Sequence, residues 1–320
     1  MKKFIVQVIF VHVWVLASVF SFHLFFKNSR DNNLLLDSKN KRQWIDRLHN
    51  QEFDYAVLGS SRAHGAFDMN LLDSLTSKNG INIGADGSGF LDNLLTLNRF
   101  VKQGNLVDTV FLVVDLSVLN SKKSLSTPFH PFDYISQAGT ADLDTEMVSN
   151  MKGLDKGLFR MLPSFFVLKY NTETIRLSLK NRFKGRGDRD YFVPNKGGIE
   201  MTHDEVYLPQ VKMEETETSL KVNEEDFLLL TEIVKFCAER QITLIPISVP
   251  VFLRSTEMNQ KIAEEKHIKE LLLGLDMTYI ESPKKISADV ENFKDKGHLN
   301  NQGIHKFTFE FAEKYKSGFQ

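Results

Sequence analysis

The run Asp54-Tyr55-Ala56-Val57-Leu58-Gly59-Ser60-Ser61 decides the fold. It is short and apolar, and it stops at glycine and serine. A buried parallel strand reads this way, because both of its faces are covered. Asp68, just beyond it, suits the cap of a short helix carrying Leu71, Leu72 and Leu75. Ile81-Asn82-Ile83-Gly84 is a second short strand, and residues 84–89 form a glycine-rich turn. Phe90, Leu94, Leu97 and Val101 then recur at helical spacing. Residues 109–116 (TVFLVVDL) are a third, strongly β-branched strand. Strand, helix, strand, helix, strand implies a parallel sheet with right-handed crossovers.

The same rhythm returns near the C-terminus. A helix is predicted over 223–240, a strand over 242–249 (ITLIPISV), a helix over 258–273 and a short strand over 277–280. A last helix begins near Asn301 and carries Ile304, Phe307, Phe311 and Ala312 on one face. Residues 121–217 break the pattern. They hold Phe129, Pro131, Phe132 and Tyr134, a predicted helix over 161–180, Gly185-Arg186-Gly187-Asp188 and Asn195-Lys196-Gly197-Gly198. This stretch reads as an insertion that supplies substrate contacts, a lid, or a cover on one sheet edge.

Residues 4–26 are almost continuously apolar, with Gln7, His12 and His23 as the polar exceptions. A membrane-spanning helix needs about 20 such residues, whereas a cleaved signal has an apolar core of about 7–15. Ala17-Ser18-Val19 is a poor cleavage site, so the segment reads as an uncleaved signal anchor. Lys2 and Lys3 form a tighter basic cluster than Lys27 and Arg30, which favours a cytoplasmic N-terminus. The expected organisation is an anchor at 1–30, a linker at 31–50 with a short helix at 41–48, and an α/β domain at 51–320. That domain would lie on the extracytoplasmic side.

A net charge of −1 over 320 residues argues against a general nucleic-acid binder. The 26 phenylalanines supply ample core material. Cys237 is the single cysteine, so it makes neither an intramolecular disulfide nor a cysteine metal cluster, and its neighbours suit a buried helix face. His203-Asp204 brings no further ligand set, and no metal site is expected.

The chemistry gathers in two distant places. Ser61 follows a buried parallel strand, at the sheet edge where open α/β folds place their sites. A serine behind a glycine is by itself also an ordinary turn. His298 lies just before the last helix, with Asp295 three residues earlier. That carboxylate can reach one ring nitrogen, fix the tautomer and leave the other nitrogen to take a serine proton. Arg62 would pin the turn by a salt bridge or bind an anionic substrate group. His64 lacks a carboxylate at a local spacing that would orient it. His130 and His305 fit no pattern.

Together these residues resemble the SGNH (GDSL-like) hydrolase superfamily. Gly59-Ser60-Ser61 is similar to its first block, with Ser61 at the nucleophile, and the Gly-Ser-Ser variant looks like that of membrane-associated members handling cell-surface polymers. Asn82-Ile83-Gly84-Ala85-Asp86-Gly87 is similar to the second block, with Gly87 best placed as the oxyanion glycine. Asp295-Lys296-Gly297-His298, followed by Leu299, Asn300 and Gly303, matches the fifth block. The third block departs: Val114-Asp115-Leu116-Ser117-Val118-Leu119-Asn120 has no clean counterpart of the oxyanion asparagine; either Ser117 or Asn120 replaces it or the donor is absent, and Asn120 is also a candidate substrate contact. The likeness covers most of 54–119 and 223–316, and none of the insertion.

What the resemblance implies is a three-layer α/β/α flavodoxin-like domain with a central parallel sheet. Ser61, His298 and Asp295 would be its triad, with the N–H groups of Ser61 and Gly87 as oxyanion donors and no cofactor. Substrates would be esters of acylated surface glycans, deacetylated or acetylated by transfer, the latter with a membrane-bound acyl donor. A non-catalytic anchored module assisting surface-polymer export or modification is the competing expectation.

Overall fold

The computed structural model describes residues 2–31, 41–45, 47–120, 176, 179–180, 182–183, 192–199 and 222–316. Its elements begin with α1 (Lys2–Asp31), α2 (Lys41–Ile45), β1 (Glu52–Leu58), α3 (Ser61–His64), α4 (Met69–Thr76), β2 (Gly80–Asn82), α5 (Phe90–Lys102), β3 (Leu106–Val113) and α6 (Leu116–Leu119). They continue with α7 (Glu224–Glu239), β4 (Thr243–Ile247), α8 (Met258–Leu273), α9 (Lys284–Ser287), β5 (Phe293–Asp295), β6 (His298–Leu299) and α10 (Asn301–Tyr315). The chain divides into two units, Met1–Gln43 with Thr127–Arg189, and Trp44–Ser126 with Asp190–Gln320.

In the first unit α1 runs for 30 residues, about 45 Å at 1.5 Å per residue. Its stretch Lys3–Phe22 has a mean hydropathy of 2.2 and none of it is buried, so it is long and apolar enough to cross a membrane. Arg182 lies over the Phe25 ring, 5.4 Å from its centroid. Of the helix expected over 161–180, Arg176, Leu179 and Lys180 are helical and the rest lies outside the described residues.

The second unit is mixed α/β around a four-stranded sheet of order β2-β1-β3-β4, parallel throughout. Side chains alternate across each strand. Ala56 and Leu58 of β1, with Val110 and Leu112 of β3, join one buried cluster with Phe90, Leu97 and Phe100 of α5, Leu230, Ile233 and Cys237 of α7, and Ile268 and Leu272 of α8. Tyr55, Val57, Phe111 and Val113 join the other, with Met69 and Leu72 of α4 and Phe307 and Phe311 of α10. The step from β1 to β2 runs one way along the sheet through α4. The step from β2 to β3 runs back through α5, which packs in the opposite cluster, as right-handed crossovers require. Neighbouring β1 and β3 therefore send their chains in opposite directions. The crevice between their carboxyl ends is the switch point where open α/β sheets bind ligands.

Several boundaries differ from the sequence reading. β3 ends at Val113 rather than Leu116, because the Asp115 side chain turns to accept the N–H groups of Ser117 (2.9 Å) and Val118 (3.2 Å) and caps α6. The strand expected over 277–280 is reduced to one parallel bridge between Ile247 and Ile280. The Met277 N–H is already taken by Leu272 O at 3.0 Å, which leaves little chain to pair. Within the expected linker, Trp44 and Ile45 are buried in the first cluster, and Trp44 packs on Phe192 at 5.8 Å. Cys237 is buried as expected, and desolvation pushes its thiol up to about 12.

Candidate active site

Each part of the site is placed by a local device. Gly59 leaves β1 at a positive φ of 148°, and a Cβ there would meet Ala63 Cβ at 2.8 Å and Val113 Cβ at 3.0 Å. Glycine thus lets α3 fold tightly back against the end of β3, with Ser61 as its first residue. Ser61 is half-buried at the carboxyl edge of the sheet.

Asp295 and His298, just before the last helix, are paired across the two-stranded β5-β6 hairpin. The Lys296 carbonyl accepts from Phe252 N at 2.9 Å, and Lys296 Nζ meets Glu257 Oε1 at 2.7 Å, which anchors the tip. Asn300 caps α10 by accepting from Gly303 N at 3.0 Å, and its side chain donates to Glu291 O at 2.7 Å. A Cβ on Gly303 would lie 2.1 Å from Asn292 O, so only glycine allows α10 to start this close to the preceding turn. The run Leu299-Asn300 with Gly303 therefore fixes the direction in which the hairpin enters the helix. Rings behind it hold α10 to the sheet: Phe311 lies 4.9 Å from Phe67 and 5.1 Å from Phe111, centroid to centroid.

These devices bring three side chains into line. The Ser61 hydroxyl donates to His298 Nε2 at 2.8 Å. The His298 Nδ1–H donates to Asp295, 2.8 Å from Oδ1 and 3.0 Å from Oδ2. Asp295 Oδ1 also accepts the N–H groups of Gly297 (2.8 Å) and His298 (2.9 Å). Burial opposes the charge on Asp295, but the His298 ring and those two N–H groups outweigh it and hold the carboxyl below its ordinary range. A carboxylate fixed in this way sets the imidazole tautomer, and the serine proton has an acceptor within hydrogen-bond reach.

Arg62 reaches the end of β3, where Nη1 meets Asp115 Oδ2 at 2.9 Å. Asp115 is buried, which by itself would raise its pKa. The Arg62 charge, the Ser117 hydroxyl and the Val118 N–H reverse that and hold it low. The salt bridge thus pins the Ser61 turn across the switch point. Asn120 ends α6 with its side chain exposed, and among the described residues no hydrogen bond joins it to Ser61. Ser117 spends its hydroxyl on Asp115. The end of β3 therefore presents a carboxylate already paired, not an amide donor.

The glycine turn lies beside α3. Ala85 N donates to Gly59 O at 3.0 Å, and Asn82, fully buried, donates its amide to Ala63 O at 2.8 Å while accepting from Gly84 N at 3.0 Å. Gly87 follows at a φ of 69° within a turn closed by Ser88 N to Ala85 O, 3.2 Å. One pair was invisible to local spacing: His64 Nδ1 lies 3.0 Å from Asp86 Oδ1, from a residue 22 positions away. His305 is exposed on α10. His130, His203 and Asp204 lie outside the described residues. Among the described residues no group of three or more His, Cys, Asp or Glu side chains could hold a metal.

Comparison with protein-family models found no match, and comparison with curated proteins found no significant one, so the geometry alone carries the functional reading.

Proposed function

We propose that the chain is a membrane-anchored serine esterase or O-acyltransferase of SGNH type. Its α/β unit would be a three-layer flavodoxin-like domain, and its substrates acylated, typically O-acetylated, cell-surface glycans. The observation that carries this reading is the 2.8 Å hydrogen bond from Ser61 to His298, continued to Asp295.

In the first half-reaction Ser61 Oγ attacks the ester carbonyl as its proton passes to His298 Nε2. Asp295 keeps the Nδ1 proton and stabilises the imidazolium. The N–H groups of Ser61 and Gly87 stabilise the tetrahedral oxyanion. His298 then protonates the departing alkoxide, leaving an acyl group on Ser61. Water or a sugar hydroxyl, deprotonated by His298, releases that acyl group, giving hydrolysis or transfer. With α1 in the cytoplasmic membrane and its basic N-terminus inside, the site faces the surface polymers, and a membrane-bound partner would supply the acyl group for transfer.

Asp115 at the end of β3 favours a second reading, an anchored module that assists polymer export or modification without catalysis. Loss of one oxyanion donor costs on the order of 10²–10³ in rate, which slows an enzyme without abolishing it. Turnover of a small acetyl ester separates the two. The esterase reading expects turnover that Ser61→Ala removes; a folded wild-type protein no faster than its Ser61→Ala variant establishes the non-catalytic module.

A further inference from the structure

We propose that His64 is a positioning residue of the reaction, and that its pairing with Asp86 holds the Gly87 turn against the nucleophile. This rests on the serine-esterase reading above. His64 and Ser61 lie on the same short helix, and Asp86 immediately precedes Gly87. The His64 Nδ1–H donates to Asp86 Oδ1 at 3.0 Å. The two residues are unlike in surroundings: the His64 side chain is 6% exposed and that of Asp86 68%. A loop carboxylate in water is thus tied to a buried ring.

His64 is held through its backbone and one face of its ring. The His64 N–H donates to Ser60 O at 3.0 Å, and its carbonyl accepts from Ile199 N at 3.3 Å. Its ring packs on Phe192, 5.7 Å between centroids. Ala85 N donates to Gly59 O just before α3, and Asn82 bridges Ala63 O of α3 to Gly84 N of the turn. The His64–Asp86 bond reaches the residue directly before Gly87. A donor N–H must sit within hydrogen-bond distance of where the oxyanion forms, and a displacement of about 1 Å costs about 10²-fold in rate. A tether one residue away sets that distance. The Asp86 charge also feels His298 and Lys294, and the His64 bond, the largest influence, holds its carboxyl low against desolvation.

The test is the rate of covalent labelling by a fluorophosphonate, whose tetrahedral adduct needs the same oxyanion donors. Full-length wild-type protein, Ser61→Ala, Asp86→Ala, Asp86→Asn, His64→Ala and His64→Asn are compared, with thermal midpoints measured alongside. Asp86→Asn keeps an oxygen acceptor without the charge, and His64→Asn keeps an N–H donor near the Nδ1 position. Expected are a maximal labelling rate about 10–100-fold lower in Asp86→Ala and His64→Ala at unchanged half-saturating probe concentration, near wild-type rates in Asp86→Asn and His64→Asn, and a modestly lowered midpoint in Asp86→Ala that leaves the variant folded at the assay temperature. Because Asp86 is exposed, Asp86→Ala decides the matter even if His64→Ala fails to fold. Labelling of Asp86→Ala at the wild-type rate overturns this inference and leaves the esterase reading standing. A wild-type protein that does not label at Ser61 overturns both.

Discussion

Ser61 and His298 are 237 positions apart in sequence and share a 2.8 Å hydrogen bond. Nothing local brings them together. The bond exists because Gly59 folds α3 onto the end of β3, while the rings behind α10 hold the hairpin over the same sheet edge.

Asp295→Asn tests the orienting carboxylate. The amide can present an N–H to His298 Nδ1 and so favour the wrong tautomer. Acetyl-ester turnover should fall on the order of 10³–10⁴-fold with the fold intact, as measured by steady-state kinetics beside circular dichroism. A decrease of less than tenfold would remove Asp295 from the triad.

Asp115→Asn tests the switch-point salt bridge. Asparagine can still cap α6, so the loss isolates the charge on Arg62. Arg62 is one-quarter exposed, and solvent screening limits the effect. A decrease of about 1.5–3 kcal/mol in denaturant unfolding is expected. No change would mean that the Arg62–Asp115 bridge does not stabilise the turn.

Phe311→Ala tests the ring cluster that seats α10. Phe311 is buried against Phe67, Phe111 and Tyr315. Removing it should cost about 3–5 kcal/mol in equilibrium unfolding and slow esterase turnover at temperatures where the variant is still folded, because the His298 hairpin leads directly into α10. Full turnover in a destabilised variant would separate the helix from the site.

Acid should unfold the α/β unit through its carboxylates. Asp115, Asp295 and Asp86 are all held below their ordinary values in the folded state. Their contribution is fully present above the unfolded-state value, about 3.9, and is lost as the pH falls through the lower folded values. Thermal midpoints should be flat from neutral pH down to about pH 5 and then decline steeply. Asp115→Asn should weaken that decline; an unaltered slope would contradict the low folded value for Asp115.

The first strand, the last helix and the meeting of Ser61, His298 and Asp295 were legible from local marks: a continuous apolar run ending in glycine and serine, helical spacing, an Asp-x-x-His quartet. Arg62 was also readable, since a cation beside a nucleophile turn has few neighbours to choose from. What escaped was non-local. Asn195-Lys196-Gly197-Gly198 looks like insertion text, yet Asn195 Oδ1 accepts Met69 N at 2.8 Å and Lys196 O accepts Asn82 N at 2.9 Å, so it docks beside β2. Trp44 and Ile45 sit in polar sequence and are core residues because Phe192 and its neighbours cover them. His64 and Asp86 have no shared spacing; a glycine turn folded back onto a four-residue helix makes them partners.

The central claim is that Ser61 is an activated nucleophile. Acid quenching of the full-length protein during turnover of an activated acetyl ester, followed by peptide mapping, tests it most directly. An acetyl group is expected on the Ser61 hydroxyl, and none when His298 is replaced by alanine. Acetylation confined to lysines, equal in wild type and His298→Ala, would contradict it.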